Sequence, residues 1–145
     1  VVDEPLTVYF ADDSSVARKQ IERTLDALGV RYVGSVNGRQ AWTELEKVAS
    51  YASSSGRKVK DLVALILTDV EMPEMDGYIL TKRIKTDPRF EGVPVIMHSS
   101  LSGMSNQQLG RSVGVDEYVA KFEPQRLAEV LRRLITQHAG PDKAA

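Results

Sequence analysis

The residues of this chain that could do chemistry are few, and each follows an apolar run. Asp12 and Asp13 follow the first run and Asp69 a later one; Ser99 closes another, and Lys121 ends the last. Three carboxylates brought together repel one another and call for a counter-cation, and a hard divalent ion accepts oxygen ligands. Mg2+ keeps several waters and takes one or two protein carboxylates plus phosphate oxygens, so a cluster of this size suits it better than a calcium cage would. Lys121 can neutralise a further negative charge and Ser99 can donate a hydrogen bond. Both suit a phosphoryl group, whose transfer is helped mainly by positioning and charge neutralisation. Aspartate is a covalent acceptor of phosphoryl groups, and the labile acyl phosphate it forms suits a switch that must reset. Taken singly, an Asp-Asp pair is an ordinary turn or cap and a lysine after a strand is ordinary surface. Their joint placement carries the reading.

The elements that must position these residues alternate along the chain. Leu6 to Ala11 is apolar and runs into Asp12-Asp13. Val16, Ala17, Ile21, Leu25 and Leu28 then recur at three- and four-residue steps, the stripe of an amphipathic helix, with Ser14 or Ser15 as cap and Gly29 as stop. Arg31 to Ser35 reads as a strand, Asn37-Gly38 as a turn, and Ala41, Leu45, Val48 and Ala49 mark a second helix. Tyr51 to Lys60 (YASSSGRKVK) reads as a flexible loop or a frayed helix extension. Leu62 to Leu67 is a continuous apolar strand, suited to the middle of a parallel sheet covered on both faces. Gly77 to Lys85 is a helix, Val93 to Met97 a strand leading into His98-Ser99-Ser100, and 106–112 a short helix. Val115 to Ala120 is a strand ending at Lys121, and Leu127, Val130, Leu131, Leu134 and Ile135 stripe the last helix. Five strands alternating with five helices imply an α/β fold with a parallel sheet. Ligands in such sheets bind beyond the carboxyl ends of the strands, which is where the acidic residues, the serine and the lysine fall.

Composition excludes several classes. The 145 residues fit one domain, and a formal charge of -1 gives no basic field for nucleic acid. With no cysteine there is no disulfide framework or thiolate metal site, and with two histidines an imidazole metal site is disfavoured. No apolar run approaches the ~20 residues of a membrane helix, and no signal peptide is visible. A cytoplasmic location is expected. Residues 1–5 read as the end of a linker, 6–138 as the domain and 139–145 as a disordered tail. A start at Val1 suggests a piece of a longer chain.

The strings FADDSS, LTDVEMPEMDGY, VIMHSS and DEYVAK resemble the receiver domains of bacterial two-component response regulators, over roughly residues 6–136. The resemblance implies a doubly wound, flavodoxin-like five-stranded sheet of order 2-1-3-4-5, as in CheY. It implies that Asp69 is the phosphoacceptor. Asp12 and Asp13 are then the metal-binding pair, Asp13 the more direct ligand, and the backbone carbonyl of Glu71 is a further ligand. Ser99 matches the switch hydroxyl, Lys121 the lysine that pairs with the phosphoryl group, and Tyr118 the aromatic whose rotamer reports the switch. One departure is clear: the family usually has a proline after the lysine, often with a cis bond, and here Phe122 stands there. A cis bond before a non-proline residue costs ~3 kcal/mol, so either a trans bond with a reshaped loop or a retained cis bond is expected. The segment 51–60 resembles an insertion.

Within the family the chain is similar to the receiver of CheV-type chemotaxis coupling proteins, which join a CheW-like scaffold domain to a C-terminal receiver. That resemblance implies a CheA-like histidine kinase as donor and a CheW-like domain N-terminal to this one. Any partner face would be built from the fourth helix, fifth strand and fifth helix, with Gln107, Tyr118, Gln125 and Arg132 as candidates. Two other functions compete. An aspartyl-phosphate phosphatase needs a second aspartate two residues after its nucleophile, where this chain has Glu71. A receiver-like docking module without phosphorylation would not require the full acidic and lysine set. His98 and Trp42 read as packing residues, and Arg57, Lys58 and Lys60 as a solvated basic loop.

Overall fold

The structure, a computed structural model, describes residues 6–100, 104–121 and 123–144. The strands are β1 (Thr7–Ala11), β2 (Arg31–Ser35), β3 (Val63–Thr68), β4 (Val95–Ser99) and β5 (Glu117–Ala120), and the helices α1 (Ser15–Leu28), α2 (Gly38–Ser54), α3 (Gly77–Thr86), α4 (Met104–Ser112) and α5 (Pro124–Ala144). All neighbouring strands pair in parallel, in the order β2-β1-β3-β4-β5. β3 is central and every one of its residues is buried, as its unbroken apolar run requires.

Two apolar layers cover the sheet. Ala41, Leu45, Ala49 and Ala52 of α2 join Leu80 and Ile84 of α3 against Val63, Ile66, Val95 and Met97. On the opposite face Ile21 and Leu25 of α1 and Leu127, Val130 and Leu131 of α5 pack on Val8, Phe10, Leu65, Leu67, Ile96 and Val119. The alternation of strand residues between these layers is the two-residue period of a pleated strand.

Caps start the helices where the chain needs to turn. The Ser14 hydroxyl accepts from the Ala17 N–H, Asn37 caps α2 and Asp76 caps α3 by accepting from Ile79 N–H. Gly29 ends α1 at φ 71°, a left-handed stop that favours glycine.

The structure corrects several sequence expectations. Val16 is 78% exposed and leaves the α1 stripe, whose buried phase is Ala17, Ile21 and Leu25. Of the two readings of 51–60, a flexible loop or a helix extension, the extension holds for its first part: α2 runs to Ser54, and Val59 then plugs the core from a 3-10 turn at Val59–Asp61. Ala52 continues the Leu45–Ala49 stripe, and that burial outweighs the low helix preference of the serines. The strand expected at 93–97 lies two residues later, after Pro94. The last helix, α5, runs Pro124–Ala144, beyond the stripe that ends at Ile135.

Candidate functional site

Register brings the acidic residues together. Ala11 pairs with Thr68 across β1 and β3, so Asp12 and Asp69 each lie one residue past a matched pair, on adjacent strands spaced ~4.8 Å apart. The Asp69 N–H donates to Ala11 O at 2.9 Å and the Asp12 N–H to Ser35 O at 3.1 Å, which fixes both backbones. Ser99 pairs with Ala120, placing Lys121 one step beyond.

Asp12 is wholly buried, Asp69 nearly so, and Asp13 exposed. Asp12 Oδ1 accepts from the Ser14 N–H at 2.9 Å, while its backbone carbonyl accepts from Arg18 Nη1 at 2.8 Å. Asp69 Oδ1 accepts from the Val70 N–H at 2.8 Å and its carbonyl from Thr68 Oγ1 at 2.9 Å. Lys121 Nζ lies 3.0 Å from Asp12 Oδ2 and 3.3 Å from Asp69 Oδ2. Asp12 Oδ2 is buried and has this ion pair as its polar contact among the described residues.

Burial and the Asp12 carboxylate push Asp69 up to about 6, against the Lys121 ammonium and the Val70 N–H, which favour the anion. Burial pulls the Lys121 ammonium down, but Asp12 and Asp69 together hold it above the usual lysine value. His98, 3% exposed, is held neutral by burial and by the Lys121 charge, with its pKa lowered to about 4. Its Nδ1 has no hydrogen-bond partner among the described residues. His98 is therefore a packed strand residue, in line with the sequence reading.

The cluster fits a hard cation. Asp12, Asp13 and Asp69 each offer a carboxylate oxygen, and these oxygens lie within 4.8 Å of one another. An all-oxygen donor set of this size is what magnesium takes. Asp12 Oδ2, buried with only the Lys121 ammonium beside it, has capacity for a cation. Glu71 is exposed in the loop two residues past Asp69. Ser99 is 1% exposed at the end of β4, and Tyr118, half-buried in β5, pairs with Met97. Gln125 and Arg132 are exposed on α5. The Lys121–Phe122 bond lies outside the described residues.

Sequence reasoning missed three supports. Arg18 grips the Asp12 carbonyl and Thr68 the Asp69 carbonyl, and neither contact involves an unusual residue type. Gly38 packs on the loop after Asp69 so closely that a Cβ there would overlap the Met75 carbonyl. The Asn37-Gly38 turn signal was visible in sequence, but its partner, some forty positions on, was not. In the same loop Glu74 adopts φ 72°, and the Met75 N–H reaches back to Pro73 O at 2.8 Å, a γ-turn of the rarer, strained hand. Trp42 is half-buried, its ring 5.7 Å from Phe90 and under Arg83.

A doubly wound parallel sheet with an acidic cluster and a lysine at its carboxyl edge defines a receiver. The response regulator receiver domain family matches residues 8–132, and the chain belongs to it. Among curated relatives, the chemotaxis protein CheV1 of Helicobacter pylori is 32% identical over 88% of this chain and 37% of its own length. CheV3 of the same organism is 31% identical over 91% of this chain and 42% of its own length. Chemotaxis protein CheY1 of that organism is 34% identical over 87% of this chain and 94% of its own. The chain thus spans about two fifths of the CheV relatives it matches. Among solved structures, the receiver domain of the Pseudomonas aeruginosa sensor histidine kinase PA1611, which has a magnesium ion coordinated in its active site cleft, superposes with TM-score 0.72. It is 24% identical and covers 91% of this chain and 98% of that one. Vibrio cholerae CheY4 gives 0.70 at 24% identity, over 90% and 99%. These likenesses establish the fold. Receivers are regulatory domains, and no helix among the described residues is long and apolar enough to cross a membrane.

Proposed function

We propose that this domain is a phosphoacceptor switch of chemotaxis signalling in which Asp69 takes a phosphoryl group. The observation that carries the reading is the convergence on Asp69: its carboxylate lies 3.3 Å from the Lys121 ammonium and within the 4.8 Å cluster of Asp12 and Asp13. With its pKa at about 6, Asp69 is mostly ionised at neutral pH and can act as nucleophile. A carboxylate oxygen forms a bond to phosphorus as the bond from phosphorus to the donor's histidine nitrogen breaks. Water later takes the phosphoryl group, inorganic phosphate leaves, and the carboxylate is restored.

Asp12, Asp13, Asp69 and the Glu71 carbonyl would hold Mg2+, which supplies charge neutralisation for the transferring phosphoryl oxygens. Lys121 holds the two carboxylates in place before transfer and pairs with a phosphoryl oxygen afterwards. Ser99 donates to another such oxygen, and Tyr118 follows it. The domain is a regulatory acceptor and not an enzyme acting on external substrates.

The CheV relatives support a finer reading: a CheA-like histidine kinase as donor, a CheW-like domain preceding this one in a longer protein, and action in the cytoplasm. Phosphorylation then alters receptor–kinase coupling, or drains phosphate from other receivers. Incubation with acetyl phosphate and magnesium followed by intact mass tests the switch. One phosphoryl group should be gained, and none in Asp69→Asn or after chelation. An unchanged mass with every donor, CheA-like kinase included, would leave only docking.

A further inference from the structure

Tyr78 stands immediately after Gly77, and Gly77 is locked to the backbone of the acceptor. Its N–H donates to Val70 O at 2.8 Å, and a Cβ on it would overlap the Asp69 carbonyl oxygen. Residues 69–70 and 77 therefore shift together. From this anchored position the Tyr78 hydroxyl donates to the carbonyl of Asn106 in the first turn of α4, at 3.4 Å. A carbonyl has two lone pairs, so Asn106 can accept it in addition to its helical bond.

Few of the described side chains of α4 are buried. Of residues 106–112 only Gly110 is buried. Gly110 sits against Met97 Sδ, Val115 and the Tyr118 ring, so closely that a Cβ there would lie 3.1–3.2 Å from each. Leu109, the large apolar residue of this stretch, is 48% exposed. An element with so few buried contacts opens at low free energy, so one hydrogen bond weighs heavily in its position. Burial, with Tyr118, Asp76 and Glu71 nearby, raises the Tyr78 pKa and keeps the phenol a donor.

We propose that Tyr78 is a positioning residue that latches α4 to the acceptor loop, and that movement of the Asp69–Val70 backbone on phosphorylation releases it. The second half rests on the phosphoacceptor reading; the first does not. In this account Tyr78 and Tyr118 seat the two ends of α4, and the Asp69 loop reaches the α4–β5 surface through Tyr78.

Hydrogen exchange of residues 106–112 in the wild type and in Tyr78→Phe, with and without beryllofluoride plus magnesium, tests both halves. Without ligand, Tyr78→Phe should exchange about three- to tenfold faster in α4, while β1 and β3 amides stay as in the wild type. Beryllofluoride should speed α4 exchange in the wild type and change it little in the variant, and acetyl phosphate should label both at rates within about twofold. Equal α4 exchange without ligand would overturn the latch. An undiminished beryllofluoride response in Tyr78→Phe would overturn its release. Loss of labelling in the wild type would instead overturn the phosphoacceptor reading and leave the ligand-free comparison standing.

Discussion

The backbone N–H of Lys121 donates to the carbonyl of Ser99 at 2.8 Å. Two residues given related roles by resemblance are thus joined through the β4–β5 ladder, which ends at the Ser99–Ala120 pair. The family's usual proline would follow Lys121. The placement of the Lys121 ammonium between Asp12 and Asp69 follows from this register and does not depend on the next residue.

Removing that ammonium should be costly. The Asp12 side chain is 1% exposed, and breaking a buried ion pair by deleting one partner costs about 3–5 kcal/mol. Lys121→Ala should lose roughly 3 kcal/mol at pH 7 by denaturant melt, with the Asp69 pKa rising above about 6. A change within experimental error would show that the three groups are hydrated and weakly coupled.

Two groups give opposing pH slopes. Asp69 in the folded protein titrates at about 6 against an ordinary 3.8, so the folded state binds its proton first. Its contribution is favourable below 3.8 and is lost as pH rises through 6. His98 titrates at about 4 against 6.5. Its contribution is full above 6.5 and falls as pH drops toward 4. Asp69→Asn should therefore be about 1–2 kcal/mol more stable than the wild type at pH 7.5, an advantage that shrinks toward pH 5. His98→Leu should gain on the wild type over the same fall in pH. Parallel Tm–pH curves for the three proteins would refute the assignment.

Asp13 is exposed and its repulsion with Asp12 and Asp69 is relieved when it is removed. Asp13→Ala should keep or slightly raise the melting temperature without magnesium. It should also lose most of the stabilisation that magnesium gives the wild type. Equal stabilisation by magnesium in both would remove Asp13 from the ligand set.

Close packing at Gly77 makes a sharper contrast. A Cβ there meets the Asp69 carbonyl, whereas at Gly29 it meets nothing within 4 Å and only the φ of 71° resists it. Gly77→Ala should lose about 1–3 kcal/mol and slow acetyl-phosphate labelling tenfold or more. Gly29→Ala should lose about 1–2 kcal/mol with labelling unchanged. Labelling rates that fall equally in both would mean that stability, and not Asp69 geometry, limits uptake.

The carboxyl-edge cluster was legible because a parallel sheet places every strand's end on one side, and Asp12, Asp69, Ser99 and Lys121 each close a readable apolar run. Strand order came with the family likeness and is what the sheet shows. Less legible were features set by three-dimensional packing. Ala52 and Val59 are buried within a segment whose serines and basic residues read as loop or frayed helix end, and Val16 matches the helical period while pointing to solvent. The Arg18–Asp12, Gly38–Met75 and Tyr78–Asn106 contacts each end on a backbone carbonyl, which carries no mark in the sequence.

The central claim is that the phosphoryl group sits on Asp69 and on no other carboxylate of the cluster. Borohydride reduces an acyl phosphate to the alcohol and leaves free carboxylates untouched, so labelled protein, reduced and digested, reports the site by peptide mass. Homoserine at position 69 alone is the predicted result. Homoserine at position 12 or 13, or a phosphorylated protein with no reduced aspartate, would contradict it.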